Sequence, residues 1–328
     1  MQPVAMTGWG GYRVFQKGIK VGVVGAGMVG SSFAYALIIT GLATDIVLVD
    51  VNRALAEGHA MDLSHGVPFV REVDVIAGSY DDLAGSDIVV VTAGSAQKPG
   101  ETRLDLIKRN AEVFKDIIPR ITEAAPRCIL IIVTNPVDVM THVAIKLSGF
   151  DSHRVIGTGT LLDSARFRYQ LSRHCEVDPR NVHAYIIGEH GDSEVPVWSL
   201  ANIAGMRLTE YCPTCPRTCP QNVKEGIFEE VRNAAYEVIG KKGSTHWAIG
   251  LAMESIVKAV VRDERSVMTV STLLNGYLGV SGVCLSVPSL VGREGILRTF
   301  EITLSDAERE SFHASAAVIR QAMESIDV

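Results

Sequence analysis

The chain has 328 residues, of which 47% are hydrophobic and 21% charged, a globular composition that argues against extensive disorder. Its formal net charge of −6 speaks against a general nucleic-acid binder with a basic face, though a local basic pocket is still allowed. No apolar run of ~18 residues suggests a membrane span, and Met1 to Gly18 lacks a basic region followed by an apolar core, so neither membrane insertion nor a secretory signal is expected.

Residues 1–18 form an extension with no evident role. Beyond it, strands are predicted at Ile19–Val24, Ile46–Asp50, Ile88–Val91 and Cys128–Val133, with a weaker one at Val73–Ala77. Helices are predicted at Met28–Thr40, near Arg53–Leu63 and at Leu104–Ala124. Continuous apolar strands alternating with helices indicate an α/β fold, a doubly wound parallel sheet covered on both faces. In the second half the pattern changes: a helix over Thr160–Arg173, a strand over Val182–Gly188, a loop at Pro213–Pro220, helices at Asn222–Lys241 and Ala248–Val261, and strands at Met268–Tyr277 and Val283–Val291. Ser305–Ile326 opens Ser-Asp-Ala-Glu, an N-cap with Glu at N3. The expected division is therefore an α/β domain at 19–156 and a second, α+β domain at 157–328.

Gly25-Ala26-Gly27-Met28-Val29-Gly30 follows the first strand and opens a helix. In such a turn the first glycine bends the chain, the second lets backbone approach a pyrophosphate, and the third lets helix and strand pack closely. The helix N-terminus then presents N–H groups and a favourable dipole to phosphate. A second strand ends in Asp50, 20 residues past Gly30, where a carboxylate can accept from a ribose diol and repels a 2′-phosphate. The pattern predicts a Rossmann-type dinucleotide site that prefers NAD to NADP.

Three further segments carry chemistry. Thr92 to Arg103 follows a strand, is rich in small residues and ends in an arginine, as a loop closing over a ligand would. Asp163-Ser164-Ala165-Arg166 places an acid and a base on one helix face. Gly188-Glu189-His190-Gly191-Asp192 puts a histidine between glycines at a strand end. Each has a plain reading when taken singly: a solvated loop, an intrahelical ion pair, one of nine histidines.

Taken together with Thr134-Asn135-Pro136-Val137-Asp138, these segments, in their order and spacing, resemble the L-lactate/malate dehydrogenase family over nearly all of Lys20 to the C-terminus. The resemblance implies His190 as proton donor and acceptor, Asp163 as its orienting partner, Arg166 as the fork for a substrate carboxylate, and Arg103 as the group that enters with the loop. It further implies substrate contacts at Asn135 and Thr245, and NAD contacts at Gly25, Ala26, Gly27, Met28, Val29, Gly30, Asp50, Thr92, Ala93, Gly94 and Asn135. Malate-type members carry Arg at the position of Gln97. A neutral Gln97 leaves the second carboxylate of oxaloacetate unpaired, so pyruvate/L-lactate is favoured, with Lys98 as a possible compensating charge and malate dehydrogenase as the alternative. Arg168 and His183 match the positions where bacterial lactate dehydrogenases bind fructose 1,6-bisphosphate. The resemblance also implies an allosteric homotetramer acting in fermentative glycolysis, while six cysteines that make no disulfide framework and the lack of an export signal give a reduced, cytoplasmic protein as the expectation.

The chain departs from the family at His59, where Glu is more usual, and at Cys212-Pro-Thr-Cys215-Pro-Arg-Thr-Cys219, where a cysteine-free segment is usual. The cysteine spacing is zinc-like but lacks a fourth ligand, which Cys175 or a neighbouring subunit could supply. The favoured expectation is inert thiols, and no metal is assigned. A reading from another class, a non-catalytic NAD(H)-binding sensor, is disfavoured because a sensor needs neither the His190–Asp163 pair nor two arginines.

Overall fold

The computed structural model describes residues 18–95, 100, 102–215, 217 and 219–326. Gln97, Lys98 and all but the last residue of the 1–18 extension lie outside the described residues.

In the first half β1 (Lys20–Val24), α1 (Met28–Thr40), β2 (Asp45–Val49), α2 (Arg53–Gly66), β3 (Asp74–Ala77), β4 (Ile88–Val91), α3 (Arg103–Ala124), β5 (Ile129–Ile132), α4 (Val137–Ser148) and β6 (Val155–Gly157) alternate along the chain. The strands pair in parallel in the order β3-β2-β1-β4-β5-β6. Side chains of a strand alternate between faces. Val21, Val23, Ile88 and Val90 therefore bury against α1 and α2, while Val24, Val89 and Val91 bury against α3 and α4. Burying such side chains stabilises a fold by roughly 1.5–3 kcal/mol each, so both faces need covering helices. The strand order reverses between β2-β1 and β1-β4, and the crevice at such a switch point lies outside the carboxyl ends of the strands.

The second half contains α5 (Leu161–Cys175), β7 (Val182–His183), β8 (Ile186–Ile187), β9 (Val195–Pro196), β10 (Asn202–Ile203), β11 (Met206–Arg207), α6 (Leu208–Tyr211), α7 (Gln221–Lys242), α8 (Trp247–Val261), β12 (Ser266–Tyr277), β13 (Val280–Gly292), β14 (Gly295–Thr299) and α9 (Asp306–Glu324). β12, β13 and β14 are antiparallel and join the first half through β6, so one mixed nine-stranded sheet runs through the described residues. α8 returns to the first half and crosses α1. A Cβ on Gly250 would stand 3.2 Å from the Ser32 carbonyl, so the two helices meet almost backbone to backbone.

The structure corrects the sequence reading at three places. Val182–Gly188 is two short strands: β7 pairs with β10, and β8 with β9. The chain breaks at Ala184–Tyr185 because its two ends bond into different sheets. α4 was not predicted; its Val, Thr and Ile residues lower helix propensity, and burial of Val137, Val139, Met140 and Val143 overrides that. Within Pro213–Pro220, the described part is not all loop, since a 3₁₀ turn spans Cys212–Thr214.

Candidate active site

The glycine turn sits at the switch point. Gly25 has φ +102°, and a Cβ there would lie 2.5 Å from the Ala93 nitrogen. A Cβ on Gly30 would lie 2.0 Å from the Gly25 carbonyl oxygen, so helix and strand touch. At Gly27 a Cβ would meet nothing within 4 Å. Gly25 and Gly30 thus serve the fold, and Gly27 leaves open space on the ligand side. Gly27 is the N-cap of α1 and offers no capping side chain, which leaves the N–H groups of Met28, Val29 and Gly30 for another acceptor.

Asp50 follows β2 and accepts from the Ala26 N–H (2.7 Å) and the Asn52 N–H (2.8 Å). Each oxygen keeps a lone pair, so the carboxylate can still take a diol. At the end of β4, Thr92 Oγ1 donates to the Gly25 carbonyl (2.6 Å), and the Ala93 N–H donates to the Val24 carbonyl (2.9 Å). Gly94 is required where it stands, because a Cβ would meet the Thr134 methyl at 2.3 Å. These residues fit a dinucleotide: an open turn, free donors at a helix start, and an acid in reach of that turn.

The charged cluster is built from α4, α5 and the segment that follows β8. Asp163, in the first turn of α5, is buried. It meets His190 Nδ1 at 2.5 Å through Oδ2 and accepts from Arg166 Nη1 at 2.7 Å through Oδ1. The His190 N–H donates to Asp138 Oδ2 (2.7 Å), whose Oδ1 accepts from Ser271 Oγ (2.6 Å). Burial pulls the His190 pKa down, but the Asp163 carboxylate, helped by Asp138 and Glu194, outweighs it and lifts the pKa to about 9. Burial pushes Asp163 up, and His190 and Arg166 more than cancel this, leaving it below the usual range. The stable pair is imidazolium–carboxylate.

Arg103 is the first residue of α3, held by the Thr102/Asp105 capping box. It forms an ion pair with Glu189, which is fully buried and also accepts from Ser193 Oγ. Arg103 and His190 both act on the buried Asp138 carboxylate, so the two share one electrostatic neighbourhood. Asn135 is reached from the fully buried Asn110, which donates to its carbonyl (2.8 Å) and accepts from the Ser95 N–H (2.9 Å). Thr245 is half-buried just before α8, whose first turns lie against those of α1. Among the expected allosteric residues, the Arg168 Nε is buried with no hydrogen-bond partner, burial lowers the Arg168 pKa, and His183 is exposed on β7.

Sequence reasoning missed four supporting residues: Asn110, Asp138, Glu189 and Glu194. Asp138, Glu189 and Glu194 lie in or beside the quoted motifs, but only the structure shows them buried under the reacting groups. Glu194 is buried with Oε1 unpartnered, and burial, then Asp163, lift its pKa to about 8. Asn110 carried no signal in the sequence.

Comparison with known proteins bears on the same residues. A family model described as "lactate/malate dehydrogenase, NAD binding domain" matches residues 19–157, and one described as "lactate/malate dehydrogenase, alpha/beta C-terminal domain" matches 160–327. An L-lactate dehydrogenase of Acetivibrio thermocellus is 54% identical over 94% of this chain and 98% of its own length. One from Thermoanaerobacter sp. (strain X514) is 52% identical over 94% of this chain and 99% of its own length. Among solved structures, a minor L-lactate dehydrogenase from Enterococcus mundtii superposes with a TM-score of 0.92 at 38% identity, covering 95% of this chain and 99% of that one.

Proposed function

The chain belongs to the lactate/malate dehydrogenase family, and from that premise we propose that it is an NAD-dependent oxidoreductase interconverting pyruvate and L-lactate. The observation that carries the reading is the Asp163–His190–Arg166 cluster, a buried carboxylate that holds an imidazolium and a guanidinium side by side.

NADH, when bound, supplies the hydride. Gly25 to Gly30 and Asp50 would hold it, with Thr92, Ala93, Gly94 and Asn135 along its path. The chain's residues do the rest. A guanidinium has five N–H donors, so the hydrogen bond to Asp163 leaves Arg166 a fork for the pyruvate carboxylate. His190 Nε2 donates a proton to the reduced carbonyl oxygen; in lactate oxidation it takes the proton back. Asp163 holds the ring through Nδ1 and favours the charged form. Arg103 polarises the carbonyl, acting on charge that grows toward the transition state. Asn135 donates to the reacting oxygen, and Thr245 lines the pocket. In this reading residues 19–156 form the nucleotide unit and 157–328 the catalytic one.

Neutral Gln97 is the proposed selector against a dicarboxylate. NADH oxidation with pyruvate, with oxaloacetate and with neither separates three readings: turnover of pyruvate, turnover of oxaloacetate, or a silent NAD(H) sensor. Gln97→Arg is expected to raise oxaloacetate turnover relative to pyruvate, by a factor of ~10–100 for a charge pair worth ~1.5–3 kcal/mol. An unmoved ratio would remove Gln97 from that role.

The finer proposals are a homotetramer, activation by fructose 1,6-bisphosphate at Arg168 and His183, and cytoplasmic, fermentative use. The buried, unpartnered Arg168 Nε supports an anion site, and the free state of all six cysteines agrees with a reducing compartment. No helix among the described residues is long and apolar enough to cross a membrane.

A further inference from the structure

Two buried carboxylates each hold a cation of the site. Asp163 holds His190 and Arg166. Glu189, one residue before His190, holds Arg103. The Glu189 side chain is fully buried, while that of Arg103 is 41% exposed, so the pair has one face sealed in protein and the other open. Glu189 is itself fixed from several directions. Its N–H donates to Ser315 Oγ of α9 at 2.7 Å. Its Oε2 accepts from Ser193 Oγ, which also meets Ser315 Oγ at 3.2 Å. The preceding Gly188 exchanges two backbone hydrogen bonds with Ser286 of β13, both at 2.9 Å. Arg103 Nη2 donates to the other oxygen, Oε1.

The pair lies over the backbone just past His190. A Cβ on Gly191 would stand 3.1 Å from Glu189 Oε1 and 3.3 Å from Arg103 Nη2. The capping box fixes the Arg103 backbone at the start of α3, and Glu189 fixes the far end of its side chain. A buried carboxylate stripped of its partner is strongly destabilising. Arg103 therefore does not abandon Glu189 to meet a substrate; it works from where Glu189 holds it. A guanidinium has five N–H donors in a rigid fork, so one bond to Glu189 leaves donors on the open side.

We propose that Glu189 is the positioning residue of Arg103, holding the guanidinium beside His190 with its free donors turned toward the substrate carbonyl. The proposal rests on the dehydrogenase reading above and adds how the polarising arginine is aimed. Glu189 does not touch the substrate. Arg103 acts on charge that grows toward the transition state, whereas Arg166 grips the pyruvate carboxylate in ground and transition state alike. Loosening Arg103 should therefore cost kcat more than KM.

Steady-state pyruvate reduction by the full-length chain tests this, with the unaltered protein, Glu189→Gln, Arg103→Gln and the double variant side by side. Glu189→Gln keeps the side chain's size and removes its charge. It should lower kcat by about 10- to 100-fold, the scale of a misplaced catalytic group, and move KM far less. In the Arg103→Gln background the same change should leave kcat within about twofold, because the group it positions is gone. Gly191→Ala is a second route that keeps every charge. The Gly191 φ lies outside the left-handed region, so the backbone accepts alanine, and the methyl should press on Arg103 Nη2 and lower kcat only where Arg103 is present. A lowered Tm with unchanged kcat in Glu189→Gln would overturn the proposal, leaving a structural ion pair. An equal kcat loss without Arg103 would also overturn it, since Glu189 would then act by another route. Should Glu189→Gln fail to fold, Gly191→Ala decides: a loss confined to chains with Arg103 supports the proposal, and no loss overturns it. An unaltered chain that turns over neither pyruvate nor oxaloacetate overturns the dehydrogenase reading and this proposal together. An active chain with unaffected variants overturns the proposal alone.

Discussion

The nucleotide side and the proton-transfer side of the site are built on opposite principles. The nucleotide side consists of backbone and space: a left-handed Gly25, a Gly30 against the Gly25 carbonyl, an open Gly27, and uncapped N–H groups at α1. The proton-transfer side consists of buried side-chain charge: Asp163 between His190 and Arg166, Asp138 beneath His190, and Glu189 against Arg103. The first should fail when volume is added, and the second when charge is removed.

The largest effect is expected from charge. His190→Gln keeps the size and hydrogen-bonding character of the side chain but cannot transfer the proton, so kcat should fall by roughly 10²–10⁴ while NADH binding, read by fluorescence titration, holds. A comparable loss of NADH affinity would mean that the two sides are not separable.

Volume comes next, and two glycines three residues apart should part company. Gly30→Ala drives a methyl into the Gly25 carbonyl and should cost roughly 1–3 kcal/mol of stability. Gly27→Ala meets only open space, so its Tm should stay while NADH affinity drops by about tenfold or more, because the second glycine admits the pyrophosphate. Equal Tm losses would erase the distinction between fold and ligand glycines.

The pH dependence sharpens the charged side. His190 has a pKa of about 9 in the fold, against ~6.5 for an unperturbed histidine. Its pairing with Asp163 therefore stabilises the fold fully below about pH 6.5, and that contribution is lost as pH rises through about 9. Pyruvate reduction, which needs the imidazolium, should decline through the same range, and lactate oxidation should rise. Asp163→Asn removes the main group holding that pKa up, so both limbs should move to lower pH. Unshifted limbs would assign the titration to another group.

The smallest effect lies outside both regions. Ser305→Ala breaks the capping box with Glu308 at the start of α9. It should cost about 0.5–2 kcal/mol in chemical unfolding and leave turnover unchanged.

Much of this architecture was legible because local rules governed it. α1 and β4 lie where the apolar patterning puts them, and the α9 cap at Ser305 follows from Ser-Asp-Ala-Glu. The glycine turn was legible from its spacing and from the contact of Gly30 with the nearby Gly25 carbonyl, whereas the approach of Ala93 to Gly25 was not, because Ala93 is distant in sequence. α4 was not, because its β-branched residues lower helix propensity, and burial between the sheet and α3 outweighs that. Nor was the split of Val182–Gly188, which is decided by partners at Val195–Pro196 and Asn202–Ile203.

The amino-acid sequence by itself determined the alternating strand–helix order and the glycine turn, because these rest on residue type at short spacing; the reacting groups were named only through the family resemblance of several motifs taken together. Only the tertiary structure decided that Asp163 and His190 meet at 2.5 Å, that Asp138, Glu189 and Glu194 are buried, and that Cys212 packs against the apolar cluster holding Cys175. The reason is that ionisation and contact depend on what lies nearby in space. Neither burial nor a neighbouring charge can be read from a residue's place in the chain.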